Sequence, residues 1–314
     1  MQCTHTSLFG SHITGEQGEV RLRSDIERVL SPSWSLAQPH EEPDLSLTWG
    51  SVGYLVLSLE AGERGRDQRR LMRSLWAGRL ARQQRLVFVT RHSDDLGSES
   101  EEHDDILSVK TDMTEYLAHI LCLAGLHYSL TQWPLASFTL LTTDSVLISP
   151  EAVSRLASRH SVSSNRVLGS LYKRYSPARQ AQAPHHTSEA EWPWSMYPPF
   201  LDPGLMMFTQ DTLTPILQHS ASVPLFKHYE IWLTGLVSLQ AEVIRMGFKD
   251  SLMARPQPLP GPHRDCYWAG RAGVGGVTSE DAEVRSWAQR LAGVRGCEVR
   301  EAREVSNTCD VRRR

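Results

Sequence analysis

The stretch GYLVLS at residues 53–58 decides the fold class, because it is a short apolar run that closes on a hydroxyl residue. A run of this kind is typical of a strand that is buried on both faces of a sheet. Comparable runs follow at residues 86–90 (LVFVT), 106–109 (ILSV), 138–142 (FTLLT) and 167–171 (VLGSL). We therefore predict a series of buried strands.

Segments of helical length and spacing separate several of these strands. A basic stretch at residues 66–82 follows the first strand, an acidic loop spans residues 94–105, and a helix is predicted over residues 115–131. Strands that alternate with helices are typical of an α/β fold. The sequence thus predicts a mainly parallel central sheet flanked by helices.

The C-terminal part of the chain is less regular. Residues 176–203 are rich in proline and aromatic residues, which predicts a long surface loop of the kind that forms a lid or a binding loop. A strand is predicted at residues 205–208, and helices are predicted near residues 211–219 and 228–246. A last helix is predicted over residues 279–291, after a hydroxyl residue that can cap it.

These patterns divide the chain of 314 residues into three parts. Residues 1–45 lack periodicity and are predicted to be a weakly ordered leader. Residues 50–255 form the α/β domain, and residues 256–314 form a C-terminal tail with one helix. One large domain of this size buries a full core without disulfide bonds.

The composition excludes some classes of protein. Acidic residues outnumber basic ones 36 to 33, so the formal net charge is −3. This near-balance argues against a basic nucleic-acid binder and against an acidic disordered tail. Hydrophobic residues make up 40% and charged residues 22% of the chain, which is typical of a globular protein.

Cysteine and hydropathy patterns bear on the compartment. The five cysteines are an odd number, so at least one of them has no partner within the chain. Three of them fall near the C-terminus, which fits either a disulfide or free thiols. No stretch reaches about 18 consecutive apolar residues, and residues 1–20 lack a charged start before an apolar run. We therefore expect neither a membrane anchor nor a signal within this sequence.

Polar residues that close predicted strands are candidates for a ligand site, because ligands of open α/β sheets bind beyond the carboxyl ends of the strands. Ser58 closes the first strand, and Thr143, Asp144 and Ser145 follow the fourth. A divalent ion that bridges phosphates prefers two carboxylates, whereas this turn holds one. Taken alone, Asp144 is therefore either a ligand or an ordinary turn residue.

Two further patterns carry charge. Arg69, Arg70 and Arg73 are predicted to lie on one face of a helix, where they either clamp a phosphate or form a solvated basic surface. Glu230 begins another predicted helix, where its carboxylate either acts as a general base or pairs with the helix dipole. The residues alone leave both alternatives open.

In their order along the chain, these motifs resemble those of the Golgi β-1,3-glycosyltransferases of the β-1,3-galactosyltransferase family. Beyond the strand that ends at Ser58, the resemblance lies in RRLMRSLW at residues 69–76, EEHDDIL at 101–107, LTTDSVLIS at 141–149, YPPFLDPGLM at 197–206 and YEIWLTG at 229–235. MGFKDSL at residues 246–252 is similar to the β-1,3-N-acetylgalactosaminyltransferase branch.

The resemblance implies a GT-A-like fold and a UDP-sugar donor. It implies transfer of galactose, N-acetylgalactosamine or N-acetylglucosamine, with inversion, to a hydroxyl of a glycan on a glycoprotein or glycolipid. It also implies Mn²⁺ as the cofactor and a Golgi membrane protein whose catalytic domain lies in the lumen.

Carried over residue by residue, the resemblance makes Glu230 the catalytic base and places Tyr197 and Trp232 on the acceptor side. The residues that it assigns to the donor are Ser58, Arg69, Arg73, Thr143, Asp144, Ser145 and Gly204. Asp144 is also the implied metal ligand, because Thr143 and Ser145 stand where the family has acids.

Two other interpretations stay open. Hydroxyl groups are poor replacements for carboxylates on a hard cation, which favours a catalytically inactive glycosyltransferase-like binding or chaperone protein. The lack of a visible anchor favours an unrelated cytosolic scaffold.

Overall fold

The computed structural model describes residues 43–247, except 46, 48, 49, 61, 82, 83, 94 and 95, together with the backbone of two short strands further on. Residues 1–42 of the predicted leader and the helix predicted over residues 279–291 lie outside the described residues. Cys122 is buried with a free thiol, and the other four cysteines also lie outside the described residues.

Strands and helices alternate through most of the described chain. The strands are β1 (Val52–Ser58), β2 (Gln84–Arg91), β3 (Ile106–Val109), β4 (Phe138–Thr143), β5 (Leu147–Ile148), β6 (Arg166–Tyr172), β7 (Phe200–Thr209), β8 (Ile244–Gly247), β9 (Leu252–Met253) and β10 (Gly273–Val274). The helices are α1 (Gly62–Leu75), α2 (Gly97–His103), α3 (Leu117–Gln132), α4 (Pro150–Arg159), α5 (Leu213–Ser220) and α6 (Ser238–Gln240). Two 3₁₀ turns (Ala77–Arg79 and Gln210–Thr212) and a π-helix (Ile231–Val237) complete the set.

The main sheet is mixed and mostly parallel. Its strand order is β3-β2-β1-β4-β7-β6-β8, and the first four of these strands run parallel to one another. β7 is antiparallel to both of its neighbours, whereas β6 and β8 are again parallel. The predicted α/β class, with a mainly parallel sheet flanked by helices, is confirmed. Strands β5, β9 and β10 form a separate small sheet.

Two apolar cores lie on opposite faces of the main sheet, because successive side chains of a strand point to opposite faces. Leu55 and Leu57 of β1 belong to the core that contains the buried side chains of α3 and α5. Tyr54 and Val56 belong to the other core, with the buried side chains of α1 and α4. The short runs of the sequence are apolar throughout because both faces of these strands are covered.

Two segments predicted as loops contain regular or buried structure. Residues 97–103 of the predicted acidic loop form α2, which ends at Asp104 in a left-handed conformation (φ 49°). The predicted surface loop at residues 176–203 is buried in part, because the rings of Trp192 and Tyr197 lie 5.4 and 5.6 Å from that of Phe226. Its last residues already belong to β7.

The helix predicted over residues 228–246 is wrong beyond Gln240. The chain passes through a left-handed residue at Glu242 (φ 55°), which is incompatible with a continuing helix. Residues Ile244–Gly247 then form β8 beside β6. Pairing with a neighbouring strand therefore overrides the helical spacing of this segment.

Candidate functional site

The carboxyl ends of β1 and β4 bring Ser58 and Asp144 together. The two strands are adjacent and parallel, with Leu57 opposite Thr143. The amide of Asp144 donates to the carbonyl of Leu57 (3.1 Å), and Oγ of Ser58 donates to Oδ2 of Asp144 (2.7 Å). Two residues that sequence analysis placed at strand ends thus form one buried pair.

Two side chains of helix α1 donate hydrogen bonds to this pair. Nε2 of Gln68 donates to the carbonyl oxygen of Asp144 (2.6 Å), and Nη1 of Arg69 donates to Oγ of Ser58 (3.1 Å). A Cβ atom at Gly65 would lie 2.1 Å from the carbonyl oxygen of Glu60, so glycine permits the close approach of α1 to the turn that follows β1.

The charge of Arg69 is balanced by Glu99 of α2. Nε and Nη2 of Arg69 donate to the two carboxylate oxygens of Glu99 at 2.9 and 2.5 Å. The exposed fractions of the two side chains are 2% and 4%. Burial would raise the pKa of Glu99, but the hydrogen bonds and charges of Arg69 and Arg73 outweigh it and lower that pKa.

Arg73 is held in the same network. Its Nε and Nη2 donate to Asp105 at 2.8 and 2.7 Å, and its Nη1 donates to Glu99 at 2.8 Å. Its guanidinium also lies 4.9 Å from the ring centre of Phe88. Arg69 and Arg73 are therefore largely buried in ion pairs and form no solvated basic face, whereas Arg70 is 73% exposed.

Asp144 carries an unusual charge environment. Burial raises its pKa to about 6, and the charge of Glu60 adds to this effect. The hydrogen bond from Ser58 and the charge of Arg69 oppose the rise without cancelling it. A buried carboxylate with a raised pKa at the end of a strand is a candidate functional group.

The donor set at this turn does not fit a divalent metal ion. Asp144 is its one carboxylate, and one oxygen of that group accepts from Ser58. The hydroxyls of Thr143 and Ser145 lie 2.9 Å apart and are hydrogen-bonded to each other. Within the described part of the chain, no group of three histidine, cysteine or acidic residues could hold a metal ion. Hard cations such as Mn²⁺ prefer several carboxylate or carbonyl oxygens.

Gly204 lies on the neighbouring strand at the same edge. β7 is antiparallel to β4, so its N-terminal end lies beside the carboxyl end of β4. Oγ1 of Thr142 donates to the carbonyl of Gly204 (2.7 Å), and the amide of Gly204 donates to Oδ1 of Asp202 (2.9 Å). Sequence analysis missed Asp202 because the antiparallel direction of β7, which brings it to this edge, is not visible in the local sequence.

The first turn of the helical segment that carries Glu230 packs against this end of β7. Oγ1 of Thr234 donates to the carbonyl of Glu230 (2.7 Å) and accepts from the amide of Leu201 (2.9 Å). Burial raises the pKa of Glu230, and the nearby carboxylate of Asp202 raises it further, while the charge of His185 lowers it. A carboxylate with a raised pKa is suited to take up a proton.

Tyr197 and Trp232 lie below the surface of this region. Tyr197 is 4% exposed, and its hydroxyl donates to Oγ1 of Thr187 (2.8 Å). Trp232 is fully buried, and its indole lies 5.2 Å from the ring of His119. A fully buried indole presents no surface to a sugar, so in this structure Trp232 supports the helix that carries Glu230.

The structure thus places the predicted residues at one edge of the sheet in two linked parts. Ser58 is hydrogen-bonded to both Asp144 and Arg69, so these three residues form one group. Glu230 is linked to that group through the first residues of β7, because Thr142 donates to Gly204 and Thr234 joins Leu201 to the carbonyl of Glu230. Sequence analysis also missed Glu99, although the basic face of α1 and the acidic segment after β2 were both visible in the sequence.

Comparison with known proteins identifies the relatives of this chain. A family model described as Galactosyltransferase matches residues 67–247. Beta-1,3-galactosyltransferase brn of Drosophila melanogaster is 26% identical over 165 residues, which are 52% of this chain and 50% of that protein. Beta-1,3-galactosyltransferase 5 of Pan troglodytes is 24% identical over 66% of this chain and 71% of its own length. Beta-1,3-galactosyltransferase 4 of Mus musculus is 27% identical over 62% of this chain and 63% of its own length.

The chain therefore spans between half and about seven tenths of the length of these relatives. A solved structure of 4-diphosphocytidyl-2C-methyl-D-erythritol synthase is 12% identical over 76% of this chain and 99% of its own, with a TM-score of 0.37. The family match and the mostly parallel sheet together give an α/β fold of the GT-A-like class.

Proposed function

The chain belongs to the galactosyltransferase family, and from this premise we propose that it transfers a sugar from a UDP-sugar to a hydroxyl group of a glycan acceptor. The observation that carries this proposal is the position of Glu230 beside β7, at the edge where Ser58 and Asp144 close β1 and β4. Ligands of α/β sheets bind at this edge. The relatives named above are called β-1,3-galactosyltransferases, which supports a β-1,3 linkage and galactose as the sugar.

In the proposed reaction, Glu230 removes the proton from the acceptor hydroxyl. The resulting oxygen attacks the anomeric carbon of the donor sugar, and the bond from that carbon to UDP breaks on the opposite side. The configuration at the anomeric carbon is therefore inverted. The raised pKa of Glu230 makes its carboxylate a stronger proton acceptor than an exposed glutamate.

The donor diphosphate is proposed to lie over the turn that contains Thr143 and Ser145. Thr143 and Ser145 share one hydrogen bond, so one of their two hydroxyl protons is free to bind a phosphate oxygen. Ser58 is buried and donates its only proton to Asp144, so its proposed part is to position Asp144 and not to bind the phosphate. No step uses a metal ion, because the donor set of this turn does not fit one.

The proposed acceptor is a glycan on a glycoprotein or glycolipid, and the proposed compartment is the Golgi lumen. Among the described residues, none of the helices is long and apolar enough to cross a bilayer.

The test is a transfer assay with purified protein. UDP-galactose, UDP-N-acetylgalactosamine and UDP-N-acetylglucosamine are each offered with β-linked glycoside acceptors, and the product linkage is determined by NMR. We expect transfer from one of these donors, loss of transfer in Glu230→Gln, and no change in Glu242→Gln, which alters an exposed carboxylate. An unchanged rate in Glu230→Gln would show that Glu230 is not the base.

A second candidate is a binding protein without catalysis, and the single carboxylate at the Asp144 turn favours it. Calorimetry with UDP and with each UDP-sugar separates the two functions. Binding without transfer supports the second candidate, whereas no binding of any of these nucleotides contradicts both.

A further inference from the structure

Two exposed tyrosines stand beside the N-terminal end of β7. Tyr172 and Tyr175 are 39% and 47% exposed, which is unusual for large aromatic side chains in the described part of the chain. Their rings lie 5.4 Å apart, and each lies against Phe200, at 5.2 and 5.6 Å. The cluster is therefore fixed from below by Phe200 and open to solvent above.

A carboxylate lies at the edge of these rings. The hydroxyl of Tyr172 donates to Oδ2 of Asp202 (2.9 Å), while Oδ1 of Asp202 accepts from the amide of Gly204 (2.9 Å). Each carboxylate oxygen has two lone pairs, so each can accept a further hydrogen bond. Asp202 is thus held in place by two donors and keeps the capacity to bind a hydroxyl.

The residues before and after Asp202 in the sequence, Leu201 and Pro203, both contact the helical segment that carries Glu230. The amide of Leu201 donates to Thr234, which donates to the carbonyl of Glu230. The hydroxyl of Tyr229 lies 3.4 Å from the carbonyl oxygen of Pro203. These contacts place Asp202 and the tyrosine pair next to the first turn of that helix.

We propose that Tyr172, Tyr175 and Asp202 form the subsite that binds the acceptor pyranoside. A pyranoside has an apolar face of C–H groups and a rim of hydroxyls, and this cluster offers an open aromatic surface beside a fixed carboxylate. The C–H face packs on Tyr175, and one hydroxyl donates to Asp202. This inference rests on the proposed function, because it assigns the acceptor to the side of Glu230.

The first test is saturation-transfer NMR on the full chain. The probes are methyl β-D-galactopyranoside and methyl β-D-N-acetylglucosaminide, and the variants are Tyr175→Ala and the control Leu135→Ala. Leu135 is 51% exposed and precedes β4, so it lies at the opposite edge of the sheet. Loss of aromatic packing should weaken binding by about ten-fold. We expect the signals of the ring protons of at least one probe to fall in Tyr175→Ala and to persist in Leu135→Ala.

Equal signals in the wild type and Tyr175→Ala, or no signal from either probe in the wild type, overturn the inference. Thermal unfolding of each variant is measured to check that the fold is retained. Tyr172→Phe adds a second variant, because it keeps the ring but removes the hydroxyl that orients Asp202.

The second test separates this inference from the proposed function. In a chain that transfers sugar, Tyr175→Ala should raise the KM for the acceptor about ten-fold and leave kcat and the KM for the donor unchanged. A change in the KM for the donor alone overturns the inference. Sugar binding that depends on Tyr175 in a chain without transfer supports the inference while contradicting the proposed function.

Discussion

The hydroxyl of Ser58 donates a 2.7 Å hydrogen bond to Oδ2 of Asp144, although 86 positions separate the two residues in the sequence. The contact forms because β1 and β4 are adjacent and parallel, so their carboxyl ends meet. Arg69 donates to the same Ser58 oxygen, which joins Asp144 to the buried ion pair behind it. The most deeply placed part of the candidate site is thus organised by hydrogen bonds to one serine.

Replacing Asp144 by asparagine should stabilise the protein at high pH. The pKa of Asp144 is raised to about 6 in the folded state from 3.8, so the folded state holds a proton that the unfolded state has lost between these values. The contribution of Asp144 to the free energy of unfolding is therefore largest below pH 3.8, and it is lost as the pH rises through 6. The cost of the charged form is about 3 kcal/mol at most.

Urea unfolding at pH 8 is therefore expected to give a higher free energy of unfolding for Asp144→Asn than for the wild type. At pH 5 the difference should shrink. A difference that is the same at both pH values would contradict the assigned pKa of Asp144.

Removing one partner of the Arg69–Glu99 pair should destabilise the fold strongly. Glu99→Gln leaves the Arg69 guanidinium buried without a balancing charge from its main partner, which costs about 3 kcal/mol or more. The matched control is Arg70→Ala, whose ion pair with Asp67 is largely exposed, and we expect it to change stability by less than about 0.5 kcal/mol.

The double variant Arg69→Met with Glu99→Leu should recover part of the loss, because it removes both charges from the interior. The measurement is the free energy of unfolding in urea at pH 7. Equal effects of Glu99→Gln and Arg70→Ala would show that burial of the ion pair is unimportant.

The strands that form the centre of the sheet are predictable from sequence because both of their faces are buried. β1, for example, is buried at every position, so its residues are apolar without alternation and stand out from the polar segments around it. β8 could not be predicted in the same way, because its sequence IRMG carries a charge. That charge, Arg245, is buried and donates to the carbonyls of Pro199 and Gly235, which are distant in sequence.

The candidate site was predictable where it follows from strand ends and not where it depends on partners between helices. Ser58 and Asp144 each close a predicted strand, so the topology of the sheet alone brings them together. Glu99 and Asp105 bind Arg69 and Arg73 only because α2 and the turn that follows it lie beside α1 in space. Asp202 gains its role from the antiparallel direction of β7, which no local pattern indicates.

The wild-type chain should bind no Mn²⁺ at the Asp144 turn. The turn has one carboxylate, and its neighbours Thr143 and Ser145 bond to each other. The double variant Thr143→Asp with Ser145→Asp adds two carboxylates, which should create a site for a hard cation. Electron paramagnetic resonance of added Mn²⁺ measures the bound fraction in both proteins.

Donor binding in the wild type should likewise be the same with EDTA as with Mn²⁺, as measured by calorimetry with UDP. If the wild-type chain binds Mn²⁺ and needs it to bind UDP, the conclusion that the Asp144 turn does not fit a divalent ion is wrong. The variant provides the positive control, because UDP binding by that variant is expected to depend on Mn²⁺.

The contribution of His119 to the free energy of unfolding should fall as the pH drops from 6.5 to 4, because this residue stays neutral in the folded state. The contribution of Asp144 changes in the opposite direction over this range. Burial lowers its pKa from 6.5 to about 4, while the hydrogen bond from Nε2 to the carbonyl of Phe226 (2.8 Å) partly opposes this shift. Within this pH range the unfolded chain binds a proton that the folded chain does not. The contribution of His119 to the free energy of unfolding is therefore largest above pH 6.5 and decreases as the pH falls. The loss from this one group amounts to about 3 kcal/mol at pH 4.

Glutamine at position 119 can donate to the same carbonyl but does not titrate, so His119→Gln should flatten the pH dependence of the free energy of unfolding by about this amount. His92→Gln is the control, because its imidazole is exposed and the glutamine amide can replace its hydrogen bond to Oγ of Ser108 (2.9 Å). Urea unfolding at intervals from pH 8 to pH 4 gives the slopes for all three proteins. If the free energy of unfolding changes with pH equally in the wild type and in His119→Gln, the pKa of His119 is not lowered in the folded state. Other groups must then cause the loss of stability in acid, because a buried imidazole that stays neutral necessarily contributes to this pH dependence.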